Sequence, residues 1–294
     1  LLTLKGVKPP AARGQAVRAV SFLRPWLLGA AGYAYLFSLG WTRSKHRAAI
    51  VELCHHFGYH HESRERTELP VVAAGDLIAT SDLPIDVRAV DSVDGNVTDR
   101  ELITICRMVR DSRPDRLFEF GTFDGRTTVN MAVNAAPGAI VCTLDLPRSK
   151  IDSSSAPIHA HEVRYADKPE SGKRYRGTDA ERQIVQLYGD SGDFDFGPYY
   201  GLMDFVFIDA SHTFDYVVND SLHARKMLKP SGGTILWHDY GRWDGVTAAL
   251  NQLRRHHPDF ATVVALEGTT LAALRVASRD TIPSPRIRLR QAPR

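Results

Sequence analysis

Four motifs in this chain hold residues whose types and spacing could do chemistry. The first, at 117–128, runs Leu-Phe-Glu119-Phe-Gly121-Thr122-Phe-Asp-Gly125-Arg-Thr-Thr and reads as a strand, a glycine turn and the start of a helix. Gly121 would let a ligand approach the backbone, and Gly125 would let the helix begin close to the sheet. A helix N-terminus favours electron-rich groups such as a carboxylate, while Glu119 at the strand end could hold a ligand's ammonium. A glycine-spaced turn is also a common strand–helix connection, so this motif alone is weak. The second is Asp145, which closes the strand-like run 141–145 and could accept both hydroxyls of a ribose. The third is Leu-Tyr-Gly-Asp190-Ser191, at 187–191. There Asp190 either accepts from an amino group, with Ser191 beside it, or is an ordinary turn residue. Together, acids at the ends of three successive strands describe a nucleoside-like ligand lying across the carboxyl edge of a sheet.

The fourth motif points to the reaction. Phe-Val-Phe-Ile-Asp209-Ala-Ser-His212 at 205–212 is followed at 236–240 by Leu-Trp-His238-Asp239-Tyr. Asp209 and Asp239 would end neighbouring strands, which lie about 4.8 Å apart. Carboxylates that close repel unless a cation or a proton lies between them, and hard oxygen donors favour Mg²⁺ or a similar ion. His212 would overhang the same space and could take a hydroxyl proton. The competing readings are a capping or surface role for His212 and a helix N-cap role for Asp209.

The elements that must position these residues follow from the pattern around them. Thr98 with Glu101 three residues on forms a capping box for a helix over 98–110. Apolar runs at 116–120, 139–145, 184–188, 203–209 and 233–237 alternate with helical segments, which implies a mostly parallel sheet covered on both faces. Runs at 262–266 and 271–276 lie so close together that they read as an antiparallel hairpin. The polar stretch 147–178 is longer than a connection needs and suits a lid.

Taken together, these motifs and Lys-Pro-Ser-Gly-Gly-Thr-Ile-Leu-Trp-His-Asp-Tyr at 229–240 resemble the bacterial class I methyltransferases grouped near macrocin-type and sugar O-methyltransferases. The resemblance covers about 96–278. It implies an α/β, Rossmann-like, seven-stranded sheet with an antiparallel final hairpin and a site for S-adenosylmethionine (SAM). It is more distantly similar to catechol-type O-methyltransferases. By that likeness Asp209 and Asp239 would be Mg²⁺ or Mn²⁺ ligands and His212 the general base. His238 departs from an all-oxygen site and is either a third ligand, a substrate contact or a core residue. The SAM site would comprise Glu119, Gly121, Thr122, Gly125, Asp145, Asp190 and Ser191. The acceptor implied is a hydroxyl of a small molecule or sugar unit. The rival readings are a nicotinamide-dependent oxidoreductase on the same sheet and a non-catalytic SAM-binding protein in glycan assembly.

Three regions are expected: a helical or irregular part over 1–95, the catalytic domain over 96–278, and a basic tail over 279–294. The whole chain has 294 residues, 43% hydrophobic and 24% charged, with a net charge of +3. That is ordinary globular composition with no basic, aromatic-laced face for nucleic acid. Cys54, Cys106 and Cys142 have no metal-like spacing and suit a reducing, cytoplasmic setting. The cluster Cys54-His-His with His60-His-Glu62 is too crowded for a standard metal site. The run 25–41 contains no charged residue and has Trp26 and Trp41 near its ends. It fits either contact with a membrane surface or, as the preferred reading, a helix packed on the domain or on a second copy in a homo-oligomer.

Overall fold

The computed structural model describes residues 13–43, 46–47, 50, 63–80, 82–155 and 162–277, and not the side chains of 13–23 or Arg164. The Cys54–Glu62 cluster and the basic tail lie outside these residues. The chain divides into two compact units, Leu1–Gly58 and Tyr59–Arg294.

In the first unit a helix spans Arg13–Leu36, with Pro25 inside it, and a 3₁₀ turn follows at Gly40–Thr42. In this unit Trp26 is 66% exposed, Leu39 69% and Trp41 56%. Among the described residues no helix is long and apolar enough to cross a membrane.

The second unit is built on an eight-stranded sheet, one strand more than expected. Its strands are β1 (Val71–Val72), β2 (Arg116–Phe120), β3 (Ile140–Asp145), β4 (Ile184–Tyr188), β5 (Phe205–Ile208), β6 (Gly233–Trp237), β7 (Val264–Leu266) and β8 (Ala272–Val276), in the order β1-β7-β8-β6-β5-β2-β3-β4. Only β8 runs against its neighbours, inserted between β6 and β7. The extra strand is the two-residue β1, which comes from a stretch that reads as a connection and pairs in parallel with β7.

The central strands are apolar on both faces because both faces are covered. In β5, Val206 and Ile208 join a core with Phe118, Phe120 and Trp237, beneath the helices Phe214–Met227 and Asp244–His256. Phe205 and Phe207 point the other way, into a core with Leu117 and Leu236 beneath the helices Asp99–Ser112 and Arg126–Asn134. This is the period-two alternation of a strand between two helical layers. Burial pushes the Cys106 thiol up to about 12, as for a small core residue.

One buried cation fastens the segment between β1 and β2. Arg126 is 1% exposed and donates to the carbonyls of Ala89 (3.1 Å), Val90 (3.2 Å) and Val97 (2.8 Å), and also to Asp99. It thereby links the N-terminus of the helix Arg126–Asn134 to a loop that has little regular structure of its own.

Candidate active site

The parallel register brings the carboxyl ends of β2, β3, β5 and β6 to one edge, and the predicted acids lie along it. Phe120 pairs with Leu144 and Ile208, and Ile208 with Trp237, so Gly121, Asp145, Asp209 and His238 follow at nearly the same height.

The glycine turn is as expected, but its reason differs. Gly121 has φ +88°, and a Cβ there would lie 2.0 Å from the carbonyl oxygen of Asp209. The chain just after β5 therefore excludes a side chain at this position. Gly125, at φ +85°, caps the following helix, and its Cβ would meet Tyr175 and Gly172.

Glu119 is turned inward. It accepts from Thr143 Oγ1 (2.6 Å) and from Thr128 Oγ1, and burial pushes its carboxyl up to about 8 against those hydrogen bonds. It borders neither of the two main clefts, whereas Thr122 borders the second.

The first cleft, of about 770 Å³, is bordered by Gly121, Asp145, Asp190, Ser191, Asp209 and His212, among others. Asp145 Oδ2 receives Lys168 Nζ at 2.7 Å and the Ser171 hydroxyl. Asp190 accepts from Ser155 N (2.5 Å), Gly192 N (2.9 Å) and Tyr216 Oη (2.8 Å). Burial would raise the Asp190 carboxyl, but these donors hold it below its usual range. Part of the long polar stretch therefore lies over this cleft and engages Asp145 and Asp190.

A second cleft, of about 740 Å³, is bordered by Asn96, Thr122, His238, Asp239, Arg242 and Trp243, among others. The two clefts share Gly121, Phe123, Tyr165, Asp209, Ala210 and His212.

At that junction two histidines and four carboxylates form one network. His212 Nε2 lies 2.8 Å from Asp239 Oδ2 and its Nδ1 lies 2.5 Å from Glu162 Oε1. Its ring stacks on Trp243 at 4.9 Å between centroids. Burial would lower this imidazole, but the two carboxylates outweigh it and push it up to about 9. His238 Nδ1 sits 3.1 Å from Asp209 Oδ1 and 3.2 Å from Asp239 Oδ2, while its Nε2 is 3.2 Å from Glu101 Oε2. Asp239 adopts φ +67°, a left-handed backbone that Asp tolerates better than most residues.

Asp209, His238 and Asp239 can present ligand atoms all within 4.8 Å of one another. Two carboxylates and an imidazole are a chemically reasonable donor set for a divalent cation. Glu101 engages Nε2 of His238 and leaves Nδ1 facing the acids, the usual support of a histidine ligand. The imidazole suits Mn²⁺ better than Mg²⁺, which prefers oxygen.

Sequence reasoning found Asp209, His212, His238 and Asp239 but not the groups that hold them. Glu101 carried only a helix-capping signal. It does cap, through Thr98, but it also accepts from Thr270 N and reaches His238. Glu162, Lys168 and Trp243 gave no signal beyond their residue types.

Residues 118–240 match the family described as methyltransferase domain. Similar solved structures include the O-methyltransferase TomG from Streptomyces achromogenes, involved in tomaymycin synthesis and in complex with SAM. It is 16% identical, with 63% of this chain and 83% of that chain covered and a TM-score of 0.42. Another is the O-methyltransferase from Bacillus cereus in complex with SAH, 17% identical over 62% of this chain and 83% of that one, with a TM-score of 0.42. No curated protein sequence matches the chain. The matched region runs from β2 to the turn after β6 and contains Asp145, Asp190, Asp209, His212, His238 and Asp239.

Proposed function

We propose that this protein transfers the methyl group of SAM to a hydroxyl of a small molecule or sugar unit. The observation that carries the reading is the histidine–carboxylate network where the two clefts meet. A cofactor in the first cleft and an acceptor in the second would face each other across Asp209 and His212.

In this reading SAM lies in the first cleft with its amino-acid end at Gly121, next to the junction with the second cleft that Thr122 borders, its ribose at Asp145 and its adenine beside Asp190 and Ser191. Lys168 and Ser171 must yield Asp145 to the ribose hydroxyls. Glu119 acts from beneath, through Thr128 and Thr143, rather than touching the ligand. Asp209, His238 and Asp239 would hold a divalent cation, Mn²⁺ or Mg²⁺. Such an ion would acidify the acceptor hydroxyl and offset the charge that now holds the proton on His212. His212 takes the hydroxyl proton, steadied by Glu162 and by the face of Trp243. The acceptor oxygen forms its bond to the methyl carbon as the carbon–sulfur bond breaks, and the electron pair leaves with sulfur to give SAH. The two clefts contribute alignment, since the reacting oxygen, carbon and sulfur must lie in line.

The test is transfer of a labelled SAM methyl to a panel of phenolic and sugar acceptors, before and after exhaustive chelation. The reading expects transfer that chelation suppresses, that Mn²⁺ restores, and that Asp209→Asn and Asp239→Asn each impair. Full transfer after chelation would remove the cation. SAM binding without transfer to any acceptor would favour the non-catalytic alternative.

A further inference from the structure

The exposed apolar run of the first unit has a partner chemistry written into its surroundings. From Leu1 to Val51 the sequence contains eight Lys or Arg and no Asp or Glu, whereas the whole chain nets only +3. The remaining residues are therefore net acidic, and apart from the basic tail over 279–294 the excess cationic charge lies in this segment with the apolar stretch. Within that stretch Trp26, Leu27, Leu28, Tyr33, Leu39 and Trp41 are all more than half exposed. These positions do not fall on one helical face, so the run has no polar side to keep in water. Arg24 and Arg43 flank it, both exposed, and Arg47 Nη1 bonds the carbonyl of Trp41.

We propose that residues 24–47 dock the protein on an anionic lipid surface. From Pro25 to Leu36 the helix rises about 18 Å, well short of the ~30 Å hydrocarbon core, so the run stays within one leaflet. Tryptophans at both ends suit the headgroup boundary, where an aromatic body is apolar and its N–H is wet. The arginines meet the lipid phosphates there, and residues 1–51 hold no acid to oppose that attraction. Nucleic acid would use the same cations but gives no reason for exposed leucines. A second copy would cover the leucines but would bring like charges together.

The experiment is co-sedimentation of the full chain with phosphatidylcholine vesicles, with and without phosphatidylglycerol, alongside quenching of tryptophan fluorescence by brominated lipid. Binding is expected to require phosphatidylglycerol, to weaken with salt, and to quench Trp26 and Trp41. Arg24→Gln and Arg43→Gln should each weaken partitioning about fivefold. The triple change Trp26→Ser, Leu28→Ser, Leu39→Ser should abolish it. These side chains are exposed, so an unchanged circular dichroism spectrum and melting temperature confirm that each variant folds. No sedimentation at low salt, or a dimer that the triple change dissociates without any vesicle binding, would overturn the proposal. So would binding to DNA that the triple change leaves intact.

Discussion

Both ring nitrogens of His212 face carboxylates, and that arrangement governs its charge. An acid-rich surrounding stabilises the imidazolium, so the midpoint moves up. The proposed role is best tested through rate. His212→Gln keeps size and polarity but loses the proton acceptor, so turnover should fall about 10²–10⁴-fold with SAM affinity little changed. Single-turnover transfer and calorimetric SAM titration check this; an unchanged rate would move the base elsewhere. A second titrating group lies next to Ser191, which borders the first cleft. Asp220 is fully buried, and burial pushes its carboxyl up to about 7 against hydrogen bonds from Ser191 and Asn219. A raised carboxyl binds its proton more tightly when folded. Its contribution to stability is therefore complete below the unfolded pKa of ~3.9 and is lost as pH rises through about 7. Asp220→Asn should remove that dependence and stabilise the protein at pH 8 relative to pH 5, by about 3 kcal/mol at most. Urea denaturation of both proteins at the two pH values measures the difference, and equal pH slopes would contradict it. At this scale the sequence was readable wherever an acid or histidine ends a strand, because strand ends share one edge. It was silent on Glu101 and Glu162, which reach their histidines from 137 and 50 residues away in the chain. No local pattern encodes such pairings.

Strand ends and turns translate these residues into positions, and two of them tolerate little change. Gly121 sits against the Asp209 carbonyl, so Gly121→Ala must push the end of β5 away from β2. Its expected result is lower thermal stability together with weaker Mn²⁺ binding, read by melting and by electron paramagnetic resonance. A stable variant with normal Mn²⁺ binding would show that the turn and Asp209 are not coupled. Arg126 is the other. Arg126→Ala leaves the carbonyls of Ala89, Val90 and Val97 without their donor and should destabilise the fold by about 3–5 kcal/mol. Arg126→Lys should recover only part, since one ammonium cannot reproduce the guanidinium fork. Denaturation midpoints decide this, and a loss below ~1 kcal/mol would mean the loop is held by other contacts. Element types were legible from periodicity: the five parallel strands and the late hairpin all form. β1 was not, because two residues carry no period and their pairing with β7 is fixed by the tertiary fold. The expected hairpin is real, but only β8 is reversed within the sheet.

At the scale of the whole molecule, one sheet edge carries two clefts that meet at a shared histidine–carboxylate network. The part of the sequence resembling a known family covers that edge, and the family match at 118–240 falls on it. The cofactor assignment is the claim on which the rest of the catalytic account depends. Its most direct test is calorimetric titration of the full chain with SAM and, separately, with NAD, for the natural protein and for Asp145→Ala. The account predicts a saturable SAM isotherm, no NAD binding, and at least a tenfold loss of SAM affinity in a folded Asp145→Ala protein. NAD binding in place of SAM, or SAM affinity unchanged by Asp145→Ala, would contradict it.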